Sequence, residues 1–263
     1  MATPTLLIAM PTGGQVATPT VSALIGLTQH LQAGGIPFAF ETYQFADIVM
    51  SRNHLMSRFL TDERFSHILC VDSDMDFEPD VVDRLLAFDA PFTAAAYAQK
   101  IDRWAAFRAA CLAEAARPDA EQAGSDTLLA RIGIYNHQVA DFEGGPWRPQ
   151  RREGFITVPA VGTGLICCAR EVPETMVATG AAPRRAAQEE LPGFQGLRFH
   201  DFFSHRVSAE GGLIYGEDQS FCHRWCVDCG GEIWLDTASE VIHWGQRPYL
   251  GRYADRVGED FPD

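Results

Sequence analysis

The sequence predicts an α/β fold with a mostly parallel central sheet, helices on both faces of that sheet and a helical insertion. Within residues 1–100, short apolar runs alternate with longer amphipathic ones, which is the spacing of strand–helix units. Residues 104–132 are rich in alanine and predict helix without an intervening strand. The first stretch is therefore expected to build the sheet, and the second to be an insertion into it.

The amino-terminal part supplies strands and helices in alternation. Strands are predicted at 5–10, 37–43, 67–71 and 92–98, and helices at 18–35, 51–60 and 79–88. Because a helix separates each strand from the next, the strands are expected to run parallel.

The carboxyl-terminal part is less regular. The sequence predicts a loop at 141–153, one or two strands at 155–169, a surface loop at 181–196, a helix at 218–229 and strands at 232–236 and 241–243. Neither an internal repeat nor a linker is visible, so a single domain spanning 1–263 is predicted.

Composition excludes several classes of function. The chain has 263 residues, 46% of them hydrophobic, and a net charge of −14. This charge argues against a nucleic-acid partner and against docking on an anionic membrane, since both need clustered basic residues. No apolar stretch reaches the ~20 residues of a membrane span, and no signal-peptide pattern is present, so we expect a cytoplasmic protein. Seven cysteines, two of them adjacent, favour reduced thiols over disulfides.

Three acids follow the third predicted strand. Asp72, Asp74 and Asp76 are each two residues apart, at the end of an apolar run where parallel sheets bind ligands. Like charges this close repel one another unless a cation lies between them, and oxygen ligands suit Mg²⁺ or Mn²⁺. Alternatively, one of these acids caps the helix that begins near Pro79. The residues alone leave both interpretations open.

Two later motifs carry further candidate groups. Gly216-Glu217-Asp218 opens a predicted helix, where an acid either complements the helix dipole or acts as a general base. His243 follows an apolar strand and is either a structural residue or a nitrogen ligand for Mn²⁺.

Cys222, Cys226 and Cys229, together with His223, approach the spacing of zinc ligands. The same three cysteines fall at i, i+4 and i+7 of a predicted helix, which is the ordinary spacing of a buried stripe. A second unusual residue is Lys100, because the other 20 of the 21 basic residues are arginine. A surface cation in this chain would ordinarily be arginine.

The order of these motifs resembles that of the GT-A-fold, metal-dependent glycosyltransferases, in particular family-2-like members, which use nucleotide-diphosphate sugars. The resemblance runs through Leu6–Thr12, Ser51-Arg52-Asn53, Asp72-Ser73-Asp74, Gly162-Thr163-Gly164, Gly216-Glu217-Asp218 and His243. It implies a Rossmann-like GT-A domain with a nucleotide-binding half at 1–100, an insertion at 104–153 and a half at 154–263 that contributes acceptor and metal contacts. The segments 104–132 and 181–196 match nothing in the family, which leaves the acceptor open.

The resemblance also implies roles for the donor site. Pro11, Thr12 and Gly13 would contact the base and ribose, and Arg52 would lie near the nucleotide. Asp72 would touch the ribose or a metal-bound water.

Further implied roles concern the metal and the sugar. Asp74 and His243, with Asp72, would be the metal ligands, although the spacing of Asp76 fits equally well. Lys100 would reach the diphosphate or a sugar hydroxyl. The backbone of Gly162, Thr163 and Gly164 would approach the sugar, and Asp218 would be the base, with Glu217 as its competitor.

The resulting hypothesis is a glycosyltransferase that uses Mn²⁺ or Mg²⁺ and a nucleotide-diphosphate sugar, and that inverts the anomeric centre. Its acceptor is a glycan, lipid, protein or small molecule that the sequence does not identify. One alternative is a sugar-nucleotide nucleotidyltransferase, against which the turn Pro11-Thr12-Gly13-Gly14-Gln15 counts because it has no Lys or Arg. The other is a non-catalytic nucleotide- or zinc-binding module.

Overall fold

An eight-stranded sheet is the centre of the computed structural model, which describes residues 3–186, 190, 193–208, 212, 214–245 and 248–261. The strands are β1 Leu6–Thr12, β2 Phe38–Gln44, β3 His67–Val71, β4 Met75–Phe77, β5 Phe92–Ala95, β6 Arg151–Arg152, β7 Phe155–Val158, β8 Leu165–Ala169, β9 Arg206–Val207, β10 Ile214–Tyr215, β11 Ile233–Asp236, β12 Glu240–Trp244 and β13 Pro248–Arg252. The helices are α1 Thr18–Ala33, α2 Ile48–Thr61, α3 Pro79–Ala87, α4 Trp104–Glu114, α5 Ser125–Ile132, α6 Glu171–Ala178, α7 Glu217–His223 and α8 Val257–Asp260.

The order of strands in the large sheet is β2-β1-β3-β8-β5-β11-β7-β6. Six strands point the same way, and β7 and β8 run antiparallel to their neighbours. The predicted class, an α/β fold with a mostly parallel sheet, is therefore confirmed. The two reversed strands are those predicted at 155–169, and the Gly162-Thr163-Gly164 turn separates them as expected.

Helices cover both faces of the sheet because its strands are apolar on both sides. Leu6 and Ile8 of β1 pack with α1 and α3, whereas Leu7 and Ala9 of the same strand pack with α2 and α6. This alternation follows from the twofold side-chain period of a strand. Two cores thus fix the sheet from opposite sides, and the loops at its carboxyl edge are held between them.

The insertion is two helices rather than one. Helices α4 and α5 are separated by a turn that contains Pro118 and Gly124, residues that interrupt a helix. The loop after α5 returns to the sheet edge, where Tyr135 bridges Ala98 and His137 bridges Val161.

A second sheet was not predicted from the sequence. Strand β12 lies between β4 and β13, and it pairs with β4 so that His243 is opposite Met75. The predicted strand at 241–243 is thus the centre of a small antiparallel sheet. This pairing brings His243 back to the acidic turn that follows β3.

No helix within the described ranges is both long enough and apolar enough to cross a membrane.

Candidate active site at the carboxyl edge of the sheet

A cavity of about 400 Å³ opens at the carboxyl ends of the codirectional strands. Most of the residues that form its wall have polar side chains; the wall consists of Arg52, Asp72, Tyr97, Gln99, Asn136, His137, Gln138, Ala160, Val161, Gly162, Gly216, Glu217, Asp218, Gln219 and His243. Of the residues predicted for the site, Arg52, Asp72, Gly162, Glu217, Asp218 and His243 are brought together here.

Arg52, on α2, is the buried cation of this cavity. Its Nη2 donates a hydrogen bond of 3.1 Å to Asp72 Oδ2 and lies 3.8 Å from Asp218 Oδ1. Its Nη1 donates to the carbonyl oxygen of Thr163 at 3.2 Å. Burial alone would lower the pKa of Arg52, but the charges of Asp72 and Asp218 outweigh that effect and raise it. The guanidinium therefore stays charged and holds two carboxylates at the cavity wall.

Asp218 is fixed by its contacts with the glycine-rich turn as well as with Arg52. The hydroxyl of Thr163, which is fully buried, donates a hydrogen bond to Asp218 Oδ1. Glu217, the first residue of α7, also lines the cavity. The sequence made Glu217 the competitor of Asp218, and both acids lie along the cavity wall.

Gly162 and Gly164 make room for Tyr97. A Cβ atom on either glycine would come within 2.6 Å of the Tyr97 hydroxyl, and on Gly164 it would also meet Met75 Cε at 2.5 Å. The Tyr97 hydroxyl accepts a hydrogen bond of 3.1 Å from the Gly164 amide. Burial raises the pKa of Tyr97 well above its usual value, so this hydroxyl is neutral. The close neighbour of these glycines in the structure is a side chain of the protein, and their predicted approach to a sugar stays a prediction.

Asp74 lies beside His243 and Lys100. Its Oδ1 is 3.5 Å from His243 Nε2, and its Oδ2 forms an ion pair with Lys100 Nζ. The other ring nitrogen of His243 lies 3.0 Å from the Ala98 carbonyl oxygen, which can only accept, so Nδ1 carries the proton in the neutral ring. Burial raises the pKa of Asp74, but its contacts with His243 and Lys100 more than offset this and the pKa is lowered. Asp74 is therefore an ionised carboxylate that faces an imidazole nitrogen.

Asp76 occupies a different environment. It belongs to β4, and its Oδ2 accepts a hydrogen bond of 3.1 Å from the Trp244 indole. The sequence left open which of Asp74 and Asp76 binds a metal, and it is Asp74 that the structure places beside His243.

The donor set at Asp74 and His243 suits a divalent cation that is completed by its ligand. Among the described residues, no group of three His, Cys, Asp or Glu side chains converges on one point. One carboxylate and one imidazole nitrogen are nevertheless the donors that Mn²⁺ accepts, and such ions commonly take their other ligands from phosphates and water. The hydrogen bond from Nδ1 to a backbone carbonyl is the usual support of a metal-binding histidine. The two residues therefore fit the implied metal, whereas Asp72 is bound to Arg52.

The cysteines do not form a zinc site in the part of the chain that the structure describes. Cys222 Sγ contacts the backbone of Val161, and Cys229 Sγ lies 3.3 Å from the hydroxyl of Thr179. Both serve as packing residues.

The turn after β1 is joined to the acidic turn but lies outside the cavity wall. Pro11 and Thr12 end β1, and the Thr12 hydroxyl accepts a hydrogen bond of 3.0 Å from the Gly14 amide. The Ala17 amide donates to the Ser73 carbonyl oxygen at 2.8 Å, which ties the two turns together. Gly13 has open space around its Cα. The predicted contacts of this turn with a base and ribose stay predictions.

Sequence reasoning missed several residues of the cavity wall, among them Asn136, His137 and Gln138. Asn136 accepts a hydrogen bond from the Tyr97 amide at 3.0 Å and donates to the carbonyl oxygens of Ala95 and Gly162, both at 3.3 Å. His137 and Gln138 extend the same wall. Tyr97 lies close to Gln99 and Lys100, which follow β5, so the sequence around it suggested a polar sheet edge. No motif marks residues 136–138, which reach the site because the loop after α5 returns to the sheet.

No family model matches the sequence, and no curated protein sequence matches it. The solved structures to which the chain is similar include A197 from STIV, with 14% identity, 94% of both chains covered and a TM-score of 0.47. GalNAc-T7 with UDP, GalNAc and Mn²⁺ shares 11% identity over 91% of this chain and 44% of the other, with a TM-score of 0.46. TarS 1–349 from S. aureus shares 12% identity over 97% and 61% of the two chains, with a TM-score of 0.39. All three TM-scores are below 0.5 and all three identities are below 15%, so these similarities assign the chain neither a family nor an activity.

Proposed function

We propose that the protein is a metal-dependent glycosyltransferase that transfers a sugar from a nucleotide-diphosphate donor to an acceptor hydroxyl, with inversion at the anomeric carbon. The observation that carries this proposal is one juxtaposition at the sheet edge. The Asp74–His243 pair, which suits a divalent cation, adjoins a cavity walled by Asp72, Glu217 and Asp218.

The charge of the chain supports a cation at the donor site. With a net charge of −14 and three carboxylates around the cavity, the protein would repel a diphosphate by itself. Asp74 and His243 are the residues that would hold the cation. When bound, a divalent cation would neutralise the charge that develops on the departing nucleoside diphosphate.

Arg52 and the turn after β1 are assigned to the nucleotide. Arg52 orients Asp72, which is one-quarter exposed, and we assign the Asp72 carboxylate to the ribose hydroxyls. Pro11, Thr12 and Gly13 are assigned to the base and ribose, since their turn is tied by the Ala17–Ser73 hydrogen bond to the acidic turn.

Asp218 is assigned the role of general base. The contacts that position it, from Thr163 and Arg52, both go to Oδ1, so Oδ2 is the oxygen that we assign to the acceptor proton. A carboxylate beside a buried guanidinium and at a helix start is a suitable proton acceptor. As the acceptor hydroxyl loses its proton to Asp218, its oxygen attacks the anomeric carbon on the face opposite the leaving diphosphate.

A nucleotidyltransferase is the second candidate, and the residues of the turn after β1 count against it. Such an enzyme binds a nucleoside triphosphate and a sugar phosphate, and we expect basic residues near the phosphates. The turn at 11–15 contains none.

The deciding experiment incubates the protein with Mn²⁺ and a panel of nucleotide-diphosphate sugars and measures nucleoside diphosphate release without an added acceptor. We expect slow release, in which water replaces the acceptor, and its loss in Asp74→Asn. Asp83→Asn is the matched control, because Asp83 pairs with His30 on the surface. Pyrophosphate release from a nucleoside triphosphate and a sugar phosphate would instead establish the second candidate. If neither the nucleoside diphosphate nor pyrophosphate is released, both candidates are contradicted.

A further inference from the structure

Lys100 forms an ion pair with Asp74, the carboxylate that we assign to the metal. Its Nζ forms an ion pair with Asp74 Oδ2, while Oδ1 of the same carboxylate lies 3.5 Å from His243 Nε2. About one-third of each side chain in the ion pair is exposed. The carboxylate is therefore shared between an imidazole and an ammonium group of the protein itself.

The type of residue at position 100 is informative. The chain uses arginine at 20 of its 21 basic positions and lysine only here. An ammonium is a compact point charge on a flexible stem, whereas a guanidinium is a rigid planar fork. Of the two side chains, lysine is the one that approximates a small metal cation.

The backbone around Lys100 is held while its side chain is exposed at the surface. The Gln99 amide donates to the Ile134 carbonyl oxygen at 2.7 Å, and the Gln99 side chain donates to the Tyr135 carbonyl oxygen at 3.0 Å. Ala98, two residues earlier, accepts the hydrogen bond from His243 Nδ1. The loop thus stays attached to the site whether or not the ammonium contacts Asp74.

A divalent ion and the ammonium compete for the same carboxylate. An octahedral ion with ligand distances of about 2.1 Å needs adjacent donors about 3 Å apart, close to the present separation of Asp74 Oδ1 and His243 Nε2. An ion there would face Nζ across a single carboxylate, where two positive charges repel each other strongly. Metal binding therefore requires Lys100 to leave Asp74.

We propose that Lys100 is a displaceable counter-cation of the metal site, which lowers the affinity of Asp74 and His243 for a divalent cation that arrives without a diphosphate. The proposal rests on the assignment of these two residues as metal ligands under the proposed function. A diphosphate that arrives with the metal offers the displaced ammonium a new anionic partner, so metal and diphosphate bind cooperatively.

The test measures binding of Mn²⁺ alone to the purified full chain by electron paramagnetic resonance titration. Lys100→Met removes the charge and keeps an unbranched chain, and we expect it to tighten Mn²⁺ binding about five- to tenfold. Lys100→Arg keeps the charge, so its affinity should stay within about twofold of the parent's. Arg64→Met is the matched control, because it removes a cation from the exposed Arg64–Asp62 pair elsewhere on the surface.

Unchanged or weaker Mn²⁺ binding in Lys100→Met would overturn the proposal, and so would equal tightening in Arg64→Met. Circular dichroism confirms that each variant is folded, and Lys100→Met/Asp74→Asn should lose the gain. No nucleotide is present in this test, so its outcome is independent of donor turnover. If Lys100→Met tightens Mn²⁺ binding through Asp74 but the protein cleaves no donor, this inference stands and the proposed function is contradicted. If the protein cleaves a donor but Lys100→Met does not tighten Mn²⁺ binding, the proposed function stands and this inference is contradicted.

Discussion

Two arginine–aspartate pairs follow the carboxyl ends of codirectional strands, on opposite faces of the sheet, and they are built differently. Arg84 of α3 binds Asp236 through two hydrogen bonds of 2.9 and 2.7 Å, and the Asp236 side chain is completely buried. Arg52 of α2 donates one hydrogen bond, of 3.1 Å, to Asp72, whose side chain is one-quarter exposed.

The surrounding groups increase this difference. Asp236 also accepts hydrogen bonds from the Ala238 amide, at 3.0 Å, and from the Ser239 hydroxyl, so both its oxygens have several donors. Within the described residues, Asp72 Oδ1 lies 3.0 Å from Arg52 Nη2 but accepts no hydrogen bond, and the buried Arg52 Nε has no hydrogen-bond partner. The same two residue types thus form a fully hydrogen-bonded pair at Arg84–Asp236, and a pair with unmet hydrogen-bonding groups at Arg52–Asp72, beside the cavity.

The largest effect is expected at the cluster around Arg52, and on rate rather than stability. Asp218→Asn should lower donor turnover about 10²–10⁴-fold with little change in nucleotide affinity, since it removes a base and leaves the amide in place. Steady-state kinetics measures this, with Glu217→Gln as the neighbouring control, which should transfer at near the parent rate. Near-normal transfer by Asp218→Asn would assign the base elsewhere, and an anomer-retaining product would contradict inversion.

At the Arg84–Asp236 pair, we expect substitution to lower stability and to leave nucleotide affinity unchanged. Asp236→Asn should lower the free energy of unfolding by about 3 kcal/mol, because it leaves a cation facing a buried site without its counter-charge. Urea unfolding measures the loss, and nucleotide affinity of the folded fraction should be unchanged. Asp72→Asn should cost less stability, since Asp218 still lies 3.8 Å from Arg52, and should weaken nucleotide binding. Equal stability losses in the two variants would remove the distinction between the pairs.

A ligand-dependent effect of similar or smaller size is expected at Asp74. At 100 times its dissociation constant, a bound nucleoside diphosphate stabilises a protein by ~2.7 kcal/mol. We expect this gain to require Mn²⁺ and to disappear in Asp74→Ala, whereas Asp83→Ala retains it. Thermal unfolding with and without Mn²⁺ and nucleotide is the measurement, and chelation of the metal should reproduce the Asp74→Ala result in the parent protein.

The smallest effect concerns pH and the helix that carries Arg52. Burial, and next the charge of Arg58, lowers the pKa of His54 on α2 from 6.5 to about 4. The neutral ring stacks on Tyr43 at 3.8 Å. Because the unfolded chain takes up this proton more readily, the contribution of His54 is complete above pH 6.5 and is lost as the pH falls through 4.

The His54→Phe variant should therefore lose about 1–3 kcal/mol less stability than the parent protein between pH 6.5 and pH 4. Denaturant midpoints across that pH range test this expectation. His205→Phe, at an exposed histidine outside α2, is the matched control. Parallel curves for the parent and His54→Phe would show that acid lability arises elsewhere.

Local sequence was enough to predict the sheet, its helices and the acidic turn, because apolar periodicity and short motifs act over a few residues. It could not separate Asp74 from Asp76, since that choice is made by the pairing of β4 with the distant β12. Nor could it find Asn136 and His137, which become part of the cavity through two isolated bridges from the insertion to the sheet edge. The sequence marked Lys100 as unusual, but it did not predict that Lys100 would pair with Asp74.

The pairing of β4 with β12 also fixes when the site can exist. A chain is synthesised from its amino terminus, and segments fold as they emerge. Asp74 and Lys100 leave the ribosome well before His243, so the ammonium is the first of the two partners that Asp74 can meet. During synthesis, Asp74 therefore has an ammonium group of its own chain within reach before the imidazole of His243 has been made.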